Sequence, residues 1–221
     1  MIEHKSISLA DQVFERMETD ILSGKYQPGE VLTELKLVSD LGVSRTPIRE
    51  ALRRLEQEHI IEISQKGILV LGVSQKDLED ILEIRSRIEG LAAYMTALNI
   101  TDEQLEELRE AVELQEFYVP KKDAARINVM DSKFHSLIYR FSGSVPLYDT
   151  LMPLHKKVLK YRRASVENEV RSAHSSQEHR AIFDAIAAHD APLAEARMMA
   201  HIANAKEFIQ KKEFIKKKGN Q

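Results

Sequence analysis

The stretch TELKLVSDLGVSRTPIREALRRL, residues 33–55, predicts two short helices joined by a tight turn. Apolar side chains recur on one face of its first part, and Gly42 then supplies the positive φ angle that commonly ends a helix. Ser44 is a good N-cap for the second helix, and Pro47 falls in the first turn, where a missing N–H costs little. The second helix is apolar on one side and carries arginines spaced by four residues on the other: Arg45, Arg49 and Arg53. This arrangement predicts a helix-turn-helix whose second helix enters the major groove of DNA.

The arginine row alone admits two interpretations, because charged runs are usually solvated helix faces. The residues that follow favour the DNA interpretation. Between residues 59 and 71, two β-rich runs flank Gln65-Lys66-Gly67, which predicts a hairpin directly after the helix-turn-helix, and hence a winged helix. We expect the hairpin tip, Lys66 and Gly67, to reach the DNA backbone or minor groove, the alternative being a turn without a contact.

The segment LGVSRTPIREALRRLEQEHII, residues 41–61, resembles the signature of the GntR family of bacterial transcription regulators. The resemblance covers roughly residues 8–73 and implies a DNA-binding winged helix. The residues expected to contact DNA come from the turn, the second helix and the hairpin: Ser44, Arg45, Thr46, Pro47, Arg49, Lys66 and Gly67. Where some members of the family carry a DNA-contacting arginine, this chain has Leu35.

The composition limits the class of protein. The 221 residues suit one large or two small domains, and helical spacing of Leu, Ala, Glu, Lys and Arg indicates a mainly α fold. The absence of cysteine excludes disulfides and thiolate metal sites and fits a reducing compartment. The sequence has neither a membrane-length apolar run nor a signal-peptide core near Met1, so we expect a cytoplasmic protein with no membrane partner.

The net charge of −3 is unusual for a DNA-binding protein. Residues 1–73 contain 9 Lys and Arg against 12 Asp and Glu, and the remainder carries 23 of each. Affinity for phosphate therefore has to come from a local basic patch instead of a basic domain. The expected patch consists of Arg45, Arg49, Arg53, Arg54 and Lys66.

The residues from Gly72 to Ser74 indicate a linker, which divides the chain into a winged helix-turn-helix domain, residues 1–73, and a second domain, residues 74–221. The second domain has the pattern of six helices without strands, which predicts an all-α antiparallel bundle. Thr101 and Gln104 predict a capping box at the start of its second helix. Its fourth helix is expected to end near Arg163.

A set of metal-binding residue types recurs in the bundle. Asp131 and His135 are spaced i, i+4 and so lie on one face of a helix, although such a pair can also be a polar core contact. His179 and His201 are equidistant from Asp190, which lies in the turn between the last two predicted helices. In an antiparallel helical hairpin such residues lie level. Three imidazoles and a carboxylate can hold a borderline divalent cation.

The segments DSKFHSLIY and SSQEHRAIFDAIAAHDAPLAEARMMAHI resemble the FCD-type ligand-binding domain of the FadR-like subfamily of GntR regulators. Many members bind a metal through an Asp, a His four residues later and two further His, and these positions are filled here by Asp131, His135, His179 and His201. The resemblance therefore implies a divalent metal ion, with zinc first and nickel, manganese or iron as alternatives. Members that bind fatty acyl-CoA lack this set, so its presence implies a small organic acid as effector.

Two further residues are candidates for binding that effector. Arg85 matches an arginine that often meets the ligand carboxylate in this subfamily, the alternative being a salt bridge to a neighbouring glutamate. Asn204 lies one turn after His201 and could orient a ligand or water, or be solvated at the surface. Three other histidines lack comparable partners, and the one expected nearest the site is His174: the set is His155, His174 and His189.

These observations favour a DNA-binding transcription regulator controlled by the acid, with a repressor released by its effector as the commoner arrangement. We expect a homodimer that binds double-stranded operator DNA at an inverted repeat, because two-fold symmetric regulators bind paired half-sites. The alternative is a metal-dependent enzyme in which the three His and one Asp leave open positions for an activated water. No general base stands out near the ligands to support it.

Overall fold

The structure is a computed structural model that describes residues 8–158 and 166–219. It has two compact units, Met1–Gln75 and Lys76–Gln221. The elements of the first unit are α1 (Leu9–Leu22), β1 (Val31–Leu32), α2 (Glu34–Leu41), α3 (Arg45–Gln57), β2 (Ile61–Ser64) and β3 (Gly67–Val70). The elements of the second are α4 (Gln75–Asn99), α5 (Asp102–Tyr118), α6 (Ala124–Phe141), α7 (Val145–Lys157), α8 (Glu169–Ala187) and α9 (Ala191–Gly219).

The helix-turn-helix is set by its capping residues. The Thr33 side chain accepts a hydrogen bond from the Lys36 N–H and so begins α2. Gly42 ends α2 with φ of 66°, the left-handed conformation that glycine adopts at low cost. Ser44 has the extended conformation of an N-cap before α3, but its side chain makes no capping hydrogen bond.

The wing contains a strand that the sequence did not predict. The sheet has the order β1-β3-β2, and both pairings are antiparallel. The strand β1 is only Val31 and Leu32, too short for a period-2 pattern, and it is fixed by its pairing with β3. Gly67 is the first residue of β3 and not, as expected from the sequence, part of the turn, because Ser64 pairs with Gly67 and leaves Gln65 and Lys66 as the connection.

The core of the first unit joins α1, the helix-turn-helix and the sheet. Its members are apolar residues that alternate with solvent-facing charges along each element, as amphipathic elements require. The most deeply buried are Met17, Leu32, Leu37, Ile48, Ala51, Leu55, Ile60, Ile61 and Val70. This core supports α3 from behind, so the arginine-bearing face of α3 is turned to solvent.

The second unit has six helices among the residues that the structure describes. The predicted capping box of α5 is present, with Thr101 and Gln104 bonded reciprocally. Pro146 falls in the first turn of α7, as predicted, while the predicted end of that helix near Arg163 lies outside the described residues. The predicted fold class is confirmed: a winged helix-turn-helix followed by a helical domain. None of the described helices has the length and hydropathy to cross a membrane.

Packing in the second unit brings four helices around one polar centre. The helix α5 packs against α6 and α8, and α8 packs against α9. The α8–α9 turn is held by Asp190, whose side chain accepts a hydrogen bond from the Leu193 N–H at 3.1 Å. Thr96 of α4 donates its hydroxyl to the Ile138 carbonyl of α6 at 2.9 Å. Polar side chains of α6, α8 and α9 therefore meet inside the unit.

Candidate functional site

The candidate DNA-contact face lies on α3 and at the hairpin tip. Arg45 and Thr46 are exposed at the start of α3, with Ser44 exposed directly before them. Lys66 is exposed in the hairpin connection. Pro47, in contrast, is buried in the core. It shapes the first turn of α3 and does not offer a surface for DNA.

Gly67 supports the wing from beneath. Its φ is 122°, and a Cβ at this position would lie 2.8 Å from the Leu32 carbonyl oxygen and 2.9 Å from Val31 Cγ1. Only glycine lets β1 approach β3 this closely. Gly67 is half-buried, and the geometry explains it as the residue that allows β1 to pair closely with β3.

Arg49 differs from Arg45 because it holds Glu34 of α2. Its Nε donates to Glu34 Oε1 at 2.9 Å and its Nη2 donates to Oε2 at 3.0 Å. These hydrogen bonds lower the pKa of the Glu34 carboxyl. The side chain of Arg49 remains 58% exposed, so the pair fixes the guanidinium at the surface of the helix-turn-helix.

The basic patch on α3 contains fewer residues than the sequence predicted. Arg54 faces α1, where its Nη1 donates to Asp11 Oδ1 at 2.5 Å and its guanidinium lies 4.0 Å from the centre of the Phe14 ring. It is a packing contact between α1 and α3. Arg53 is exposed, as are Arg45 and Lys66.

The three histidines among the proposed metal ligands lie together in the second unit, and the fourth ligand, Asp131, lies beside His179. Asp131 and His135 come from α6, His179 from α8 and His201 from α9, and all are buried. The Nε2 atoms of His179 and His201 are 3.3 Å apart. Asp131 Oδ1 is 3.8 Å from His179 Nε2. Each of the three imidazoles can offer one nitrogen, and these nitrogens lie within 4.8 Å of one another. A single metal ion can bind ligand atoms at this spacing.

Each of the three imidazoles is oriented through its Nδ1. His135 Nδ1 lies 2.8 Å from Glu89 Oε2, His179 Nδ1 lies 2.6 Å from Gln115 Oε1, and His201 Nδ1 lies 2.7 Å from Glu178 Oε2. An acceptor at Nδ1 selects the tautomer that carries its proton there and presents Nε2 as a lone pair. This is the arrangement that metal-binding histidines generally have.

The electrostatics favour the neutral form of the imidazole at His179 and at His135. Burial lowers the pKa of His179 well below its ordinary value of 6.5, and the neighbouring His201 lowers it further. Burial also lowers the pKa of His135, and this outweighs the opposing effect of Glu89. Burial alone would raise the pKa of Glu178, but its bond to His201 and its proximity to Arg171 hold the pKa at about 2. Neutral imidazoles are the form that binds a metal.

A second trio of residues shares His135 and has comparable spacing. Glu89, His135 and His155 can also bring one ligand atom each within 4.8 Å of one another. However, Glu89 Oε1 accepts from Arg85 Nε at 2.5 Å. Burial alone would raise the pKa of Glu89, but Arg85 and His135 hold it at about 2. A guanidinium bonded to Glu89 opposes a second cation there, so the cluster of His135, His179 and His201 fits a metal better.

The comparisons with known proteins bear on both units. Residues 9–70 match the family of bacterial regulatory proteins called gntR, and residues 80–204 match the FCD domain. The chain belongs to the GntR family, with an FCD domain. It is a DNA-binding transcription regulator, and the resemblance inferred from the sequence is confirmed.

The relatives of this GntR regulator match it over about half of its length or more. The uncharacterized HTH-type transcriptional regulator YdhC of Bacillus subtilis (strain 168) is 28% identical over 198 residues, 86% of each chain. The gluconate operon transcriptional repressor of Bacillus licheniformis is 33% identical over 120 residues, 54% of this chain and 49% of that protein. The solved structure of E. coli McbR/YncC has a TM-score of 0.80 at 23% identity, covering 94% of this chain and 100% of its own, and it shows the fold alone. The matched families and relatives are transcription regulators and not enzymes, which confirms the prediction of a regulator over that of a metal-dependent enzyme.

The two predicted effector-binding residues have protein partners in this GntR regulator. Arg85 is buried and holds Glu89, the salt bridge considered as its alternative role, and it also lines the cavity beside the imidazoles. Asn204 is exposed, and its Nδ2 donates to Glu178 Oε1 at 2.9 Å. Asn204 therefore lies outside the imidazole cluster and contributes to holding Glu178.

The sequence missed the residues that orient the imidazoles. Glu89 could have been suggested by its i, i+4 spacing from Arg85, but Gln115 and Glu178 carry no local signal of their contacts. The histidine nearest the site was also misjudged. His174 is exposed, whereas His155 is buried, with its ring centre 5.4 Å from that of His135. His189 is bonded instead to the Ala97 carbonyl at 2.8 Å.

Proposed function

We propose that this chain is a cytoplasmic repressor whose affinity for operator DNA is controlled by a small organic acid bound at a metal ion. Residues 1–73 form the DNA-binding domain and residues 74–221 the metal- and ligand-binding domain. The observation that carries the proposal is the imidazole cluster, in which each of the three histidines has Nδ1 bonded to an acceptor and the three can offer one nitrogen each within 4.8 Å of one another.

The chemistry of the donors fits a borderline divalent cation. Asp131, His135, His179 and His201 supply three nitrogens and one carboxylate, a set suited to zinc, with nickel, manganese or iron as alternatives. The metal would supply a Lewis acid that holds the carboxylate of the effector. Arg85 lines the same cavity and provides a counter-charge, with Glu89 fixing its position. Asn204 acts through Glu178, which orients His201.

Operator binding is assigned to the exposed residues of α3 and the wing. Arg45 and Arg49 lie at the start of α3, where a recognition helix contacts guanine edges or phosphates. Ser44 and Thr46 can donate hydroxyls to phosphate beside them, and Lys66 can reach the backbone from the wing. Pro47 and Gly67 set the backbone of these two segments.

A homodimer is supported by an exposed apolar stripe on α4. Ile84, Leu91 and Leu98 are seven residues apart and are 43%, 44% and 55% exposed, respectively. Large apolar side chains at this spacing form one line along a helix, which is costly to leave in water and suits burial against a second copy. A two-fold dimer would then present two winged helices to an inverted repeat.

The proposal is tested by measuring metal content and melting temperature. We expect the zinc-loaded protein to hold about one ion per chain and a chelator to lower its melting temperature, since a ligand of the folded state stabilises it by about 2.7 kcal/mol at a hundredfold excess over Kd. His179→Ala should remove both effects. His174→Ala is the matched control, because His174 is exposed on the same helix. Wild-type zinc content and chelator sensitivity in His179→Ala would exclude His179 as a ligand.

A further inference from the structure

The first unit leaves a leucine exposed at the start of the helix-turn-helix. Leu35 is the second residue of α2 and is 65% exposed, more than any other large apolar side chain that the structure describes in this unit. The same helix buries Leu37 and packs Val38 and Leu41 against the core. The exposure of Leu35 therefore follows from its position on α2, and not from a helix that packs poorly.

The neighbours of Leu35 show which way its side chain faces. Successive residues of a helix are rotated by about 100°, so Leu35 points to the side of α2 opposite Leu37 and the core. Glu34, directly before it, accepts from Arg49 of α3 at 2.9 Å. This hydrogen bond lowers the pKa of the Glu34 carboxyl, and the charge of Arg45 adds to the effect. The first turn of α2 therefore borders the arginine-bearing face of α3.

Two ion pairs fix the start of α2 at this border. Nε and Nη2 of Arg49 donate to the two carboxylate oxygens of Glu34, which joins α2 to α3. Lys36, directly after Leu35, donates to Glu30 at 3.1 Å. In helix-turn-helix proteins the first helix crosses the DNA backbone while the second lies in the major groove. A side chain at the border of α2 and α3 is therefore placed at the edge of that groove.

The chemistry of leucine limits what Leu35 recognises on DNA. Its side chain neither donates nor accepts a hydrogen bond, so against a phosphate or a polar base edge it would displace water without replacing the lost hydrogen bonds. The apolar group that base pairs display in the major groove is the 5-methyl group of thymine. A contact between the leucine and this methyl group removes apolar surface of both molecules from water.

We propose that Leu35 is a specificity-determining residue that contacts the 5-methyl group of one thymine in the operator. Operator DNA is the occupant because Leu35 is continuous with the contact face of α3. The inference rests on the operator contacts assigned to Arg45 and Arg49, and it is independent of the metal site. It adds an apolar contact from α2 to the hydrogen-bonding contacts of α3.

The experiment uses deoxyuridine, which pairs as thymidine does and lacks only the 5-methyl group. The probe is a duplex that the full-length protein selects from random-sequence DNA, and each thymine in it is replaced singly. Fluorescence anisotropy at one fixed salt concentration gives the affinities of the wild type and of Leu35→Ala.

The matched control is Leu9→Ala. Leu9 is also an exposed leucine in the first turn of a helix of this unit. It lies close in the chain to Asp11, which is bonded to Arg54 in the last turn of α3, so it belongs to the end of α3 away from Arg45. A contact that depends on the position of Leu35 should not depend on Leu9.

We expect one thymine whose replacement weakens binding by the wild type about threefold to fivefold, the effect of removing about one buried methyl group. Leu35→Ala should bind the thymine duplex more weakly and lose most of its preference for thymine over deoxyuridine at that position. Leu9→Ala should keep the affinity and the preference of the wild type. A folding defect would weaken all duplexes alike, so a preference lost at one base reports a direct contact.

The outcomes separate this inference from the assignment on which it rests. If Arg45→Ala binds the selected duplex as the wild type does, the assignment of α3 is wrong and the inference falls with it. If Arg45→Ala weakens binding but Leu35→Ala keeps the wild-type preference at every thymine, only the role of Leu35 is wrong. The same conclusion follows if no single replacement weakens binding by the wild type, or if Leu35→Ala weakens binding to all duplexes by the same factor.

Discussion

The two units place their functional residues in opposite environments. Arg45 and Lys66 of the winged helix are exposed and need only a stable surface to be presented. His179 and His201 of the helical unit are 0% and 4% exposed, and each needs an acceptor from another part of the chain. The residues of the first site are presented by α3 and by the hairpin next to it in the chain. The second site depends on how several helices pack.

This difference predicts different consequences of substitution. Replacing an exposed contact residue should change the affinity for DNA and leave the free energy of unfolding nearly unchanged. Replacing a buried residue of the helical unit should change the free energy of unfolding together with metal binding.

The largest effect on operator affinity is expected from a residue outside the DNA-binding unit. Leu91→Glu places a charge in the exposed apolar stripe of α4 and should dissociate the proposed dimer. Because two linked half-site contacts bind far more tightly than one, operator affinity should fall by about a hundredfold or more. Light scattering gives the mass, and fluorescence anisotropy with an inverted-repeat duplex gives the affinity. A dimeric Leu91→Glu protein would show that this stripe is not the interface.

A smaller loss is expected at the recognition helix. Arg45→Ala and Arg49→Ala should each weaken operator binding by about tenfold or more if the contact is to a base. The control is Arg54→Ala, because Arg54 is on the same helix but is engaged with Asp11 and Phe14. Gel shifts at one fixed salt concentration compare the three. If Arg54→Ala loses as much affinity as Arg45→Ala, the total positive charge of α3 determines DNA binding, and not a contact made by Arg45.

Two glycines of the winged helix should differ in their effect on stability. Gly42→Ala puts a Cβ at φ of 66° with nothing within 4 Å, so it should cost about 1 kcal/mol. Gly67→Ala puts a Cβ at φ of 122° and 2.8 Å from the Leu32 oxygen, and should cost about 1–3 kcal/mol more. Urea unfolding measures both. Equal costs would mean that β1 is not held against β3 in solution.

The smallest effect is a pH dependence of the metal-free protein. The folded-state pKa of His179 and of His135 lies below the ordinary 6.5, so between that value and their folded pKa the unfolded chain binds protons that the folded chain does not. Stability should therefore fall as pH drops below about 6.5. Melting temperatures of the chelated protein from pH 7.5 to 5 test this. His179→Phe should flatten the decline, and a wild-type slope in that variant would assign it to other groups.

The sequence predicted those features of the two units that depend on contacts between residues close in the chain, and missed those that depend on contacts between distant residues. The helix-turn-helix rests on neighbours such as Gly42 and Thr33, so the pattern predicted it, while β1 depends on pairing with a distant strand and was missed. In the helical unit the symmetry of the α8–α9 turn predicted that His179 and His201 would meet, and their Nε2 atoms lie 3.3 Å apart. The partners Gln115 and Glu89 depend on how α5 and α4 are rotated, which no local pattern encodes.

The central claim is that one metal ion lies among Asp131, His135, His179 and His201, and an anomalous difference map at the zinc edge tests it most directly. Crystals of the zinc-loaded protein should show one peak in the second unit, about 2.0–2.1 Å from the Nε2 atoms of the three histidines and beside the Asp131 carboxylate. A peak between Glu89, His155 and the Nδ1 of His135, or no peak in this cluster, would contradict the account.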